Sequence, residues 1–131
     1  MQEVAHIGRL ALRGAAASLQ ARSKVLHVLV AVEQDVARCT TIAACVSEMC
    51  RWLMAQTGTP ALEMRFCRDN QAPFAVLDFW ADGVPLPPPP EQLRRFAVRS
   101  EPVQSPDRHG FRLCFRLHRQ VPAGVLVGMA S

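Results

Sequence analysis

The sequence predicts an α/β (α+β) two-layer sandwich, with two long helices on one face of a four- to five-stranded mixed, largely antiparallel sheet. Three observations lead there. A long stretch near the N-terminus, about 15–33, contains neither Gly nor Pro and repeats its apolar residues at helical spacing. After "TGTP" at 57–60 the apolar period changes from 3.6 to 2. The segments that follow each have one apolar face, and strands of that kind need a single helical layer to cover them.

The elements follow in order. Residues 4–12, "VAHIGRLAL", are short and apolar with Gly14 just beyond, which suits a first strand at a sheet edge. In the helix at 15–33, Leu19, Leu26, Leu29 and Val30 recur at helical spacing, with Gln20, Arg22, Lys24 and His27 between them. Asp35 is a natural N-cap for a second helix at about 36–56. Val36, Cys39, Ile42 or Ala43, Val46, Met49 or Cys50, and Leu53 make its buried stripe. Gly58 suits a C-cap, and Pro60 lies beyond it.

In "ALEMRFCR", Leu62, Met64 and Phe66 alternate with Glu63, Arg65 and Cys67. "RDNQAP" is turn material, and "FAVLDFWAD" is a more continuously apolar strand expected at the centre of the sheet. "GVPLPPPP" can be neither helix nor interior strand, because proline lacks the amide donor and fixes φ. "EQLRRF" is at most a short helix, "AVRSEP" a strand and "VQSPDRHG" a turn. In "FRLCFRLHR", Phe111, Leu113, Phe115 and Leu117 face one way and Arg112, Cys114, Arg116 and His118 the other.

The chain has 131 residues, 50% of them hydrophobic, which suffices for one domain with a sizeable core. That domain is expected over 1–120, with 121–131 as a tail or the start of a linker. The net charge of +4, carried by arginines and the single Lys24, is ordinary for a globular domain. It is weak evidence for an anionic partner, so nucleic acid is not the expected one. Five cysteines, odd in number and without a C-x-x-C pair, read as reduced core thiols, and four scattered histidines give no metal-ligand spacing. No apolar run approaches the roughly 18 residues of a membrane span. Arg13 interrupts the only stretch resembling the apolar part of a signal peptide. The expected location is the cytoplasm.

The run "ARSKVLHVLVAVEQDVARCTTIAACVSEMCRWLM", with Ala43, Ser47, Glu48 and Met49 in frame, resembles the first two helices of the histidine-kinase-like ATPase (GHKL) superfamily. It looks most like the anti-sigma-factor serine kinases. The later "RRFAVRSEP" and "FRLCFRLHR" are similar to the closing strand pair of that fold. In the family, the second helix carries an Asn that holds the Mg²⁺ of ATP and, four residues earlier, a Glu acting as general base. The matching positions are Glu48 and Trp52, and an indole cannot ligate Mg²⁺, which demands oxygen. The family's D-x-G-x-G survives as Asp82 and Gly83 without its second glycine. A proline run replaces the glycine-rich lid, so no backbone amides are left there to cradle phosphate.

The resemblance therefore implies a kept scaffold and lost ATP chemistry: a non-catalytic interaction module of a bacterial signalling or partner-switching pathway, with no cofactor and with a protein partner or self-association. The expected contact surface is Thr41, Glu48, Arg51 and Trp52 with the proline segment. Trp52 either anchors a partner or plugs the vacated pocket. The alternative is an ATP-binding serine or histidine kinase with atypical Mg²⁺ binding, carried by Glu48, Asp82 and Gly83, with Glu48 as its candidate base. A third reading, nucleic-acid binding, rests on Arg65, Arg112 and Arg116 on the outer sheet face, where the ordinary role is solvent-facing strand positions. Likewise "PLPPPP" is either a stiff replacement for the lid or a polyproline ligand, and Asp82–Gly83 either a turn or a purine contact.

Overall fold

A computed structural model describes residues 8–13, 17–57, 60–69, 72–83, 85–118 and 121. Its elements are β1 (Gly8–Arg13), α1 (Ala17–Val32), α2 (Val36–Thr57), β2 (Ala61–Asp69), β3 (Ala72–Asp82), α3 (Glu91–Arg94), β4 (Arg99–Ser105) and β5 (Arg108–Arg116). The element order is the one the sequence predicts. Residues 4–7 of the expected first strand and the C-cap at Gly58 lie outside the described residues. So, apart from Val121, does the expected tail at 121–131.

The five strands form one sheet in the order β1-β2-β3-β5-β4, and every pairing is antiparallel. The expected edge strand β1 is at an edge, and β3 is central. The segment 103–110 was expected as a turn. Instead β4 and β5 run through most of it in continuous register, and only Pro106 and Asp107 turn the chain. Gln104 pairs with His109 and Val103 with Gly110, so polar composition there marks an exposed hairpin rather than a loop.

One face of the sheet carries Leu62, Met64 and Phe66 of β2, Ala75, Leu77 and Phe79 of β3, and Leu113 and Phe115 of β5. All join one core with the helices. The opposite face holds a separate small cluster of Cys67, Val76 and Cys114, edged by Phe74. This is the sheet alternation of period two. Among the described residues, the helices therefore form a single layer on one face, and no helix packs on the second face of the sheet.

α2 starts where Asp35 caps it: the Arg38 amide donates to Asp35 Oδ1 at 3.2 Å. Cys39, Ile42, Ala43, Val46, Met49, Cys50 and Leu53 are buried as the periodicity requires. Val36, expected to open that stripe, is exposed. α1 departs further from expectation. Its buried residues are Ala21, Val25, Leu29 and Val32, while Leu19 and Val30 face outward. Ala21 and Val25 are smaller than the leucines that suggested the other stripe, and they allow α1 close to its neighbours.

Glu33, in the turn between the helices, is a buried carboxylate. It accepts from Arg38 Nη1 at 2.8 Å and from the His118 amide at 2.7 Å. Arg38 also donates to the Arg116 carbonyl. The helical turn is thereby fastened to the end of β5. Among the described residues, no helix is long and apolar enough to cross a membrane.

Candidate functional site

On an α-helix, residues 41, 48 and 52 fall close to one line, with 51 beside it. The structure places Thr41, Glu48 and Arg51 in solvent and Trp52 half-buried against the core. The Thr41 hydroxyl is turned back onto the Ala37 carbonyl at 3.0 Å. Glu48 and Arg51 form an exposed i,i+3 ion pair, so the carboxylate proposed as a base is engaged by a neighbouring cation.

The segment after β3 lies on the core. Leu86, Leu93 and Ala97 pack against the same cluster as Trp52, and Pro89 is buried. The Cys45 thiol donates to the Leu93 carbonyl at 3.0 Å, tying α3 to α2. Burial raises the Cys45 thiol to about 11 and that of Cys50 to about 12, so both are protonated, unreactive core groups near neutral pH. All five cysteines are free and buried.

Asp82 is exposed at the end of β3, opposite Arg108. Gly83 follows with φ of +96°, a backbone conformation that favours glycine. Nothing lies within 4 Å of where its Cβ would be, so the requirement at Gly83 is conformational. Among the described residues, no hydrogen bond or ion pair joins Glu48 to Asp82.

A groove of about 210 Å³ lies between the proline segment and the β4–β5 hairpin, lined by Pro85, Leu86, Pro102, Gln104, His109 and Gly110 among others. Glu48, Trp52, Asp82 and Gly83 do not line it. It is also below the roughly 300–1,000 Å³ of small-molecule sites. No cluster of three metal-ligating side chains occurs among the described residues.

The sheet face opposite the helices holds the polar network that sequence reasoning missed. Asp78, buried in the middle of β3, accepts from Arg65 Nη1 at 2.6 Å, Arg112 Nε at 2.7 Å and Arg112 Nη2 at 3.1 Å. Burial alone would raise its pKa. The bonds from Arg112 and Arg65 outweigh that effect and hold the carboxyl below the ordinary aspartate value. Beside it, Trp80 Nε1 donates to Glu63 Oε1 at 3.0 Å, and the Arg108 guanidinium stacks 4.4 Å from the ring centroid. The Trp80 ring covers Gly110, where an added Cβ would meet Trp80 Cε3 at 2.8 Å and the Phe79 carbonyl at 2.5 Å. Of the three arginines singled out in the sequence, Arg65 and Arg112 are thus committed to Asp78, and Arg116 stacks 5.5 Å from the Phe74 ring centroid. The signal available beforehand was Asp78 itself, one acid inside an otherwise apolar strand.

Comparison with protein-family models, with curated proteins and with solved structures returns no match.

Proposed function

We propose that this chain is a non-catalytic, cytoplasmic protein-interaction module: a histidine-kinase-like ATPase scaffold without nucleotide chemistry, serving as a regulatory or scaffold component of a bacterial partner-switching pathway. The observation that carries this reading is the docking of the segment after Asp82. Leu86, Leu93 and Ala97 pack on the core together with Trp52, and Cys45 holds the Leu93 carbonyl. A lid has to leave room for phosphates and present amides to them. This segment lies on the core, and Pro87, Pro88, Pro89 and Pro90 have no amide to offer.

The chemistry of the donor set supports the same reading. The position resembling the Mg²⁺ ligand is an indole, and Glu48 is paired with Arg51. Thr41, Glu48 and Arg51 remain in solvent on α2, next to the tryptophan, and provide the contact surface.

Isothermal titration with ATP and with ADP, each with excess Mg²⁺, tests the proposal. No saturable heat is expected up to about 1 mM nucleotide, which corresponds to binding weaker than roughly −4 kcal/mol. A micromolar dissociation constant lost on Glu48→Gln or Asp82→Asn would overturn it in favour of an ATP-binding kinase.

A further inference from the structure

We propose that the outward face of α1 is a second docking surface, and that it takes an acidic amphipathic helix of a partner protein. This inference concerns α1 alone and stands or falls separately from the reading of α2.

The first observation is an apolar stripe of which the core uses only the edge of Leu26. Leu19, Leu26 and Val30 lie at spacings of seven and four, with Ser23 completing a 4-3-4 pattern along the helix. That is the a/d spacing by which one helix packs on another. Leu19 is 71% exposed and Val30 43%, while Leu26 is half-buried at the edge of the core. Ser23 is small and lets a partner's large side chain approach closely. Val36, four residues beyond the end of α1, is 56% exposed. The buried stripe of the same helix, Ala21, Val25, Leu29 and Val32, is complete without these residues.

The second observation is the charge beside the stripe. α1 contains no acidic residue, whereas Arg22 and His27 are exposed on either side of the stripe and Lys24 lies farther round the helix. The nearest acids in sequence are committed elsewhere: Glu33 is buried against Arg38, and Asp35 caps α2. An apolar seam flanked by one sign of charge selects a partner helix with the opposite sign at its flanking positions. The same flanks disfavour a second copy of this chain. In the symmetric antiparallel arrangement that pairs Leu19 with Val30, Arg22 would face His27 of the copy with no acid to offset them.

The probe is a synthetic helix-forming peptide of about 18 residues, leucine at a and d and glutamate at the flanking positions. It is titrated with the whole chain by fluorescence anisotropy beside a version carrying lysine for glutamate. The glutamate peptide is expected to bind about tenfold tighter or more, and to weaken as salt rises. Leu19→Ser with Val30→Ser should reduce that affinity at least about tenfold, because the seam supplies the buried apolar contact. Both side chains are exposed, so the thermal midpoint should not move. Arg22→Glu with His27→Glu should reverse the preference between the two peptides. Thr41→Ala with Arg51→Ala should leave it unchanged. Equal binding of the two peptides overturns the proposal, as does loss of binding in the α2 variant. It is overturned equally if Leu19→Ser with Val30→Ser abolishes a dimer seen by light scattering, which would make the occupant a second copy. Loss of sedimentation with phosphatidylglycerol vesicles in that variant would make it a lipid surface and likewise overturn the proposal.

Discussion

Replacing Asp78 by alanine removes the carboxylate that Arg65 and Arg112 share on the sheet face opposite the helices. Three hydrogen bonds of 2.6–3.1 Å are lost, and two guanidinium groups are left facing each other across β3. Removing one partner of a buried ion pair costs about 3–5 kcal/mol. Here the arginine side chains keep 18% and 29% of their exposure, so both heads can swing to water, which favours the lower end, about 3 kcal/mol. With an unfolding entropy of about 2.1 cal/mol/K per residue, a chain of 131 residues loses about 11 °C of melting temperature for that change. Urea denaturation measures the free energy, and calorimetry the midpoint. Exchanging all three groups together (Asp78→Leu, Arg65→Met, Arg112→Leu) should recover most of the loss, since no uncompensated charge then remains. A single-substitution loss below about 1 kcal/mol, or a triple variant no better than the single one, refutes the reasoning. The pH dependence has a definite sign. The native carboxyl titrates below its unfolded value, so its contribution is complete above about pH 4 and disappears as pH falls through the native pKa. Wild type should therefore lose stability more steeply than Asp78→Ala in acid, and equal slopes would contradict the assignment.

Gly110→Ala should cost about 2 kcal/mol, because the new methyl meets the Phe79 carbonyl and the Trp80 ring. Adding Trp80→Ala should not restore stability, since the nearer obstacle is backbone; full recovery in the double variant would show the ring to be the only constraint. Trp52→Ala should cost the isolated chain about 2 kcal/mol, less than the 3–5 of a fully buried aromatic, with unchanged elution in size exclusion. A negligible loss would mean that the indole contributes nothing to the core. The thiols of Cys45 and Cys50, raised to about 11 and 12 by burial, should resist a thiol-specific chromogen at pH 8 and react only on unfolding. Rapid labelling of either in the native state would contradict their placement.

The sheet was largely legible because alternation is a strong signal where one face is packed. Leu62, Met64 and Phe66, then Phe111, Leu113 and Phe115, point to the core as their spacing requires. α2 was legible for the analogous reason at period 3.6. α1 misled because it carries two apolar stripes, and the larger exposed residues, Leu19 and Val30, suggested the one that the core uses only at the edge of Leu26. The outer-face network was not legible in detail, since neighbours across strands depend on register. Glu63, Asp78 and Arg112 meet only once β2, β3 and β5 are aligned. Of the candidate site, the run of prolines showed in advance that the segment after Gly83 has few backbone amides to offer. Where that segment packs depends on Leu86, Leu93 and Ala97, whose partners are distant in sequence.

The clasp at Glu33 has a consequence for how the chain folds. The helical hairpin of α1 and α2 and the β2–β3 hairpin can each form from neighbouring residues. The bond from the His118 amide to Glu33 spans 85 positions and needs the end of β5 in place. Closing a loop of that length costs about 4 kcal/mol of chain entropy beyond a constant. A contact so distant in sequence contributes only after the loop between its ends has been closed. Until it forms, Glu33 is a solvated carboxylate and its turn is free to fray. Once formed, the bond ties the turn between the helices to the end of the last strand, so that opening either end exposes the buried Glu33 carboxylate.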